Sequence, residues 1–463
     1  MIFPTVQFAL FFPVVLALSW LLMPRPAVWK PFMLAASYVF YGAAGWRFAV
    51  LLAVVTLGNQ AAALLMRHPR LERHRKALMV AAVALDLGVL GVFKYYGFFT
   101  QELNGLLEKA GIGFSAPLAA IAIPLGVSFF TFQAISYVVD VYRRTIEPGR
   151  TLDVALYLAF FPHVVAGPIV RAREFLPQLA MPRNPRDVPV GAGVTLIAMG
   201  LVKKVVLADF LARAIVDPVF AVPTAYHAPD VLLASYAYAA QIFCDFSGYT
   251  DIAIGVALLL GFVFPQNFNA PYRALGLRDF WRRWHMTLSR FLRDFLYIPL
   301  GGSRGGEART ARNVMVTMLL GGLWHGAAWT FVLWGGLHGA GQVVERRLDG
   351  RLGLPAWLRW LLTFHVVVLG WILFRSPDLG IAGQMLGQLG DLGPATEWRA
   401  TVVLAVAVVI GLQLLPQRPI GSVRLRVEAL RPATLGLALA VVVILVAATV
   451  PSQGVPPFIY FQF

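Results

Sequence analysis

The chain has 463 residues, of which 59% are hydrophobic and 13% are charged, with a formal net charge of +16. Soluble domains carry about 25% charged residues, and a soluble protein of this size could not cover its surface with 39 Lys+Arg and 23 Asp+Glu. Apolar runs of roughly 18–20 residues recur, each long enough to cross a bilayer, so a soluble enzyme and a disordered chain are excluded in favour of an all-α polytopic membrane protein.

Spans are predicted near 4–23, 27–44, 46–66, 77–99, 118–139, 152–170, 190–220, 229–264, 311–343, 357–374, 398–415 and 432–450. The N-terminal stretch MIFPTVQF lacks a basic region ahead of its apolar run, so the first segment is expected to stay as a span. Residues 229–264 and 311–343 exceed one crossing. Each holds either a span plus a re-entrant piece or two short spans joined by glycine turns. Residues 67–76 carry five Lys/Arg and one Glu, and residues 418–431 carry four arginines. Both loops are therefore assigned to the cytoplasm, which puts both termini on the outer face and requires an even number of crossings. No fixed-period repeat, soluble domain or low-complexity linker interrupts the chain. Most of the positive charge follows from insertion bias, the arginines of 272–300 being expected at the mouth of a site for an anionic ligand, and no polar basic domain exists to bind nucleic acid. Cys244 is the single cysteine, which excludes an intramolecular disulfide and a cysteine-based metal cluster.

Residues 272–300 read differently, mixing six arginines with Phe280, Trp281, Trp284, Leu288, Phe291, Leu292 and Phe295. Apolar spacings of three and four predict an amphipathic helix in or near the cytoplasmic interface. The glycine-rich loop Gly301-Gly302-Ser303-Arg304-Gly305-Gly306 follows it directly.

Ionisable residues inside a membrane are expensive and each invites a functional reading. His325 sits in Gly321-Gly322-Leu323-Trp324-His325-Gly326, inside an otherwise apolar stretch whose glycines allow close approach of a backbone or a thin ligand. It reads either as a general base or as a neutral histidine bonded to a neighbouring helix. His285, 40 residues earlier, could project into the same cavity, while His338 fits a packing role. Asp245 and Asp251 lie in an apolar stretch, and Asp140 lies in an earlier span. Such carboxylates could orient a histidine, relay protons, bind a cation, or pair structurally with an arginine of 273–293. Cys244 reads as a small buried hydrophobe. No HxxxH or HExxH spacing is present, so no metal site is expected.

Five segments together resemble the membrane-bound O-acyltransferase family. They are SFFTFQAISYVVDVYRR (128–144), FFPHVVAGPIVRAR (160–173), FCDFSGYTDIAIGVALLLGFVFPQNFNAPY (243–272), and residues 280–306 and 321–339. The likeness is to the bacterial branch that serves alginate O-acetylation and teichoic-acid D-alanylation. It implies one domain over 1–463, with about 10–12 transmembrane helices ringing a central funnel and tunnel, plus re-entrant and interfacial helices. It implies that His325 matches the catalytic histidine and His285 the second, more cytoplasmic one. The donor would be a cytoplasmic thioester, acetyl-coenzyme A or an acyl carrier protein, with no bound cofactor. Donor or tunnel positions follow as Trp324, Trp284, Asp245, Ser247, Tyr249, Asn267, Arg282, Ser289, Gly301, Gly302 and Arg304. The FxYFxF end of the 451–463 tail resembles the branch's C-terminal hexapeptide. Tyr460 then either accepts the acyl group for an outer-face transferase or serves as an aromatic interfacial anchor.

The resemblance therefore implies an inner-membrane acetyltransferase acting for an exported polysaccharide. A secondary transporter using Asp245, Asp251 and His325, and a non-catalytic scaffold of an envelope complex, are the alternatives. The paired halves typical of transporters are not visible in the sequence.

Overall fold

A computed structural model describes residues 1, 3, 5–117, 121–165, 167–348 and 353–449. The protein is 77% helical, with no strand among these residues. Among the described residues, five helices are long and apolar enough to cross a membrane, and four further apolar helices of 10–17 residues accompany them. Tyr460 and the rest of the 451–463 tail lie outside the described residues.

The chain forms two compact units, Met1–Pro189 with Val256–Phe264, and Val190–Gly255 with Pro265–Phe463. In the first, α1 (Val6–Leu22) starts where the Thr5 hydroxyl accepts from Phe8 N, and α2 (Pro26–Gly42) starts on a proline that needs no N–H partner. After α3 (Trp46–Met66), the run Pro69–Lys109 has only 17% of its apolar stretch buried. Its exposed face carries Val80, Leu85, Leu87 and Val92, as a lipid-facing helix requires. The predicted 152–170 span is instead a short helix, α4 (Thr151–Ala159), broken ahead of Phe161–Val164. Pro162 and Pro168 deny this stretch continuous helix bonding. It packs inside an aromatic core in which Phe160 and Phe175 meet Phe262 at 4.9 Å each.

In the second unit, α5 (Val190–Leu201) continues through wide π-helical turns towards Ala221, and α6 (Ala228–Leu259) follows. The 229–264 stretch is thus one 32-residue helix, and 78% of its apolar window is buried. It crosses α5 on glycines spaced seven apart. A Cβ at Gly200 would lie 2.5 Å from the Gly248 carbonyl oxygen, and one at Gly255 would lie 2.6 Å from that of Gly193. Such small-residue seams let helix backbones touch.

The predicted amphipathic helix over 272–300 is broken. It forms α7 (Leu277–Arg283), then Trp284-His285, then α8 (Met286–Leu292). Its apolar face does not lie on lipid, because Phe280, Trp284, Leu288 and Phe291 are buried in the protein. The 311–343 stretch is a hairpin of α9 (Glu307–His325) and α10 (Trp329–Leu348). Glycines make that hairpin tight: a Cβ on Gly322 would lie 2.2 Å from the Phe331 carbonyl oxygen, and one on Gly335 would lie 2.3 Å from that of Met318. α11 (Ala356–Arg375) completes the packing around the hairpin.

Candidate active site

His325 is the last residue of α9, since Gly326 turns extended with φ −158° and ψ 151°. The hairpin therefore delivers this side chain at its tip, 2% exposed. The glycines around it meet protein backbone and the Phe331 ring. Aromatic rings wall the imidazole: Trp324 and Trp334 lie at 5.0 Å and Phe374 at 5.3 Å between centroids.

His285 is fully buried, and its ring centroid stands 6.4 Å from that of His325. It occupies the break between α7 and α8 in the left-handed region, φ 42° and ψ 53°. That conformation is costly for a side chain with a Cβ. It is held by Asn267, whose carbonyl oxygen accepts from Met286 N at 2.9 Å and whose side-chain oxygen lies 3.2 Å from His285 Nδ1. Phe246 of α6 sits edge-on to the ring at 4.6 Å. Burial with no carboxylate partner pushes the His285 pKa down to about 3, so the imidazole is neutral.

A cavity of about 510 Å³ in the same unit reaches Met286, the residue after His285, although neither histidine lines it. Six arginines (Arg278, Arg282, Arg290, Arg293, Arg346 and Arg347) and one acidic residue, Glu307, line it, with Trp281, Met286 and Ser289 in its wall. A concave site with this charge attracts an anionic ligand.

The other expected positions separate into distinct surroundings. Arg282 and Ser289 line the cavity, and Asn267 and Trp324 stand at the histidine pair. Trp284 is a packing residue, stacked on Phe280 at 5.7 Å and against Trp371 at 4.9 Å. Gly301 and Gly302 adopt positive φ in a loop outside the cavity wall, Arg304 is exposed, and Tyr297 and Glu307 on either side of the loop do reach the wall. Ser247 and Tyr249 are buried on α6, where Phe246 is the neighbour that meets His285. Asp245 pairs with Lys204 at 2.6 Å, Lys204 also binds Asp209 at 2.9 Å, and Asp251 pairs with Lys203 at 2.6 Å. The structural ion pair expected for these carboxylates thus exists, but with lysines of the preceding helix instead of the arginines of 273–293. His338 accepts from Trp281 Nε1 at 3.3 Å and stacks on Phe280, as a packing residue does. Among the described residues no group of three His, Cys, Asp or Glu could hold a metal.

Sequence reading did not single out Phe246, Trp334, Phe374, Arg346 or Arg347. The Arg-Arg pair at the end of a predicted span was a usable signal. The aromatic positions carried none, because they are indistinguishable from ordinary core residues.

Two buried imidazoles enclosed by aromatic rings, and an arginine-lined cavity in the same unit of a polytopic helical protein, fit an integral-membrane enzyme. Residues 133–363 match the model of the membrane-bound O-acyltransferase family. The chain is 38% identical over 503 residues to the probable alginate O-acetylase of Azotobacter vinelandii, covering 98% of each. It is 35% identical over 401 residues to the peptidoglycan O-acetyltransferase of Helicobacter pylori, covering 79% of this chain and 75% of that one. With the teichoic acid D-alanyltransferase of Bacillus subtilis it shares 27% identity over 273 residues, 54% of this chain and 68% of that one. The chain belongs to the membrane-bound O-acyltransferase family, and it is an O-acyltransferase.

Proposed function

We propose that this enzyme moves an acetyl group from a cytoplasmic thioester to the outer face of the inner membrane for O-acetylation of an exported polysaccharide. The observation that carries the reading is the His325–His285 pair, with rings 6.4 Å apart, and an arginine-lined cavity that reaches Met286 next to His285. A thioester is already activated, whereas a hydroxyl is a poor nucleophile until its proton is removed. His325 supplies that base, and the cavity arginines hold the phosphates of coenzyme A or the acidic surface of a carrier protein. Acetyl is favoured over D-alanyl because the relatives matched over most of the chain are named as O-acetylating enzymes, while the D-alanyl relatives match about half of it. Tyr460 is proposed as the acyl relay: a phenol, with a pKa near 10, loses its proton more readily than a sugar hydroxyl, and its ester stays activated for transfer by an outer-face partner.

The pairing of Lys203 with Asp251, and of Lys204 with Asp245 and Asp209, accounts for these charges and supplies no separate support for a transport pathway. The decisive experiment compares polymer yield with ester content per chain in cells carrying His325→Ala. Esters should vanish while polymer yield stays at the wild-type level. Lost export with normal ester density would replace this reading with transport. Acetylation that survives loss of both His325 and His285 would replace it with a scaffold. Mass spectrometry of the C-terminal peptide should find acylated Tyr460 during turnover, and its absence under active conditions would remove the relay.

A further inference from the structure

We propose that Asn267 is a positioning residue that holds His285 as its Nδ1–H tautomer. Nε2 then offers a lone pair to the bound substrate, and the proton taken up by the leaving sulfur comes from His325 and not from His285. This inference rests on the reading of His325 as the base of a thioester acyl transfer.

Three groups converge on one side-chain atom of Asn267. Thr287 N lies at 3.1 Å, Thr287 Oγ1 at 2.9 Å and His285 Nδ1 at 3.2 Å. A backbone N–H can only donate, so the shared atom is the carbonyl oxygen and the amide orientation is settled by chemistry. An acceptor oxygen facing Nδ1 requires the hydrogen to sit on Nδ1. A neutral imidazole then carries a bare lone pair at Nε2. That nitrogen is fully buried and meets no hydrogen-bonding partner among the described residues. The ring cannot readily turn to exchange its two nitrogens, since Phe246 presses edge-on at 4.6 Å and the left-handed backbone fixes its base.

Phe246, Trp324, Asn267 and His325 pack against His285, and of these His325 is the titratable side chain. In the transfer, the acceptor O–H bond breaks towards His325 while a C–O bond forms and the C–S bond breaks. The same proton then passes from His325 to sulfur, leaving an ester, a thiol and a neutral imidazole. His285 accepts a hydrogen bond from an N–H or O–H of the substrate throughout, and none of its covalent bonds changes.

The test uses inside-out membrane vesicles of the full-length protein, with acetyl-coenzyme A added outside and thiol release followed across pH. Asn267→Leu removes the acceptor. It should lower kcat by roughly 10- to 100-fold, the effect typical of groups that orient a histidine through its second nitrogen, with KM within about threefold. Asn267→Asp keeps an acceptor for both Thr287 groups and should fold even if the leucine variant does not. Its carboxylate favours the doubly protonated imidazole, so the lone pair is lost at higher pH as pH falls. The acid limb of kcat should move up by about one unit or more, with activity returning on the alkaline side. A wild-type pH profile in Asn267→Asp, a failure to recover at alkaline pH, or wild-type kcat in a folded Asn267→Leu would overturn the assignment. Thiol release that persists in His325→Ala would overturn the underlying reading as well. Loss in His325→Ala with an unmoved Asn267→Asp profile overturns the tautomer assignment alone.

Discussion

Two buried histidine clusters stand among the described residues, and their difference separates a packing histidine from the one proposed as catalytic. His163, in the first unit, is fully buried, hydrogen-bonded through Nε2 to the Tyr157 carbonyl at 2.7 Å, and ringed by Phe160, Phe175 and Phe264 at 5.4–5.7 Å. His325 is equally buried and equally ringed by aromatic side chains. Burial and aromatic walls therefore do not distinguish them. The difference is the company: His325 faces a second imidazole, and the arginine-lined cavity reaches Met286 next to that imidazole. A general base needs a reacting group within hydrogen-bond reach and a place for the ligand that brings it. Of the two, only the second has a cavity wall adjoining it in the chain, at Met286.

The sharpest way to break this comparison is to truncate both histidines. His325→Ala should lower acyl transfer by about 10²–10⁴-fold, the usual contribution of a general base, whereas His163→Gln should stay within about threefold of wild type, as measured by polymer ester content. Equal losses would erase the distinction.

The Lys204–Asp245 pair belongs with His163 as structure. Lys204→Met leaves two carboxylates buried without their cation and should destabilise the protein by roughly 3–5 kcal/mol, read as a lowered unfolding temperature in detergent. Unchanged stability would return Asp245 to the list of functional groups. Next in size, Arg290→Ala combined with Arg346→Ala should raise KM for acetyl-coenzyme A by about tenfold, equivalent to roughly 1.4 kcal/mol, and weaken its dependence on ionic strength, with kcat little changed. A kcat loss at constant KM would move these arginines from docking to chemistry. The smallest effect on turnover is that of His163→Gln itself, which acts on stability instead. Losing one buried hydrogen bond should cost about 1–3 kcal/mol, visible in thermal unfolding but not in turnover.

Much of the site was legible before any coordinates. His325 and His285 stood out because ionisable groups are costly in an apolar chain, and four of the six arginines of 272–300 line the cavity. The break at His285 was not legible. Helical spacing continues through Trp284 and Met286, and only Asn267, on a separate segment, makes the left-handed turn affordable. The lysine partners of Asp245 and Asp251 were missed for a related reason. Arginines were near in sequence, but the glycine seam between α5 and α6 brings Lys203 and Lys204 nearer in space.

Composition alone determined that this chain lives in a membrane, because too few charges exist to face water on all sides. Local motifs determined which residues are candidates for chemistry, because an imidazole or arginine must have a partner or a ligand to be tolerated there. Tertiary structure decided how those residues are arranged: which ring faces which, which nitrogen of His285 bears the hydrogen, and which charges are merely neutralised. Those outcomes depend on close approach between segments far apart in sequence, which glycine contacts and single hydrogen bonds control and hydrophobic periodicity does not encode.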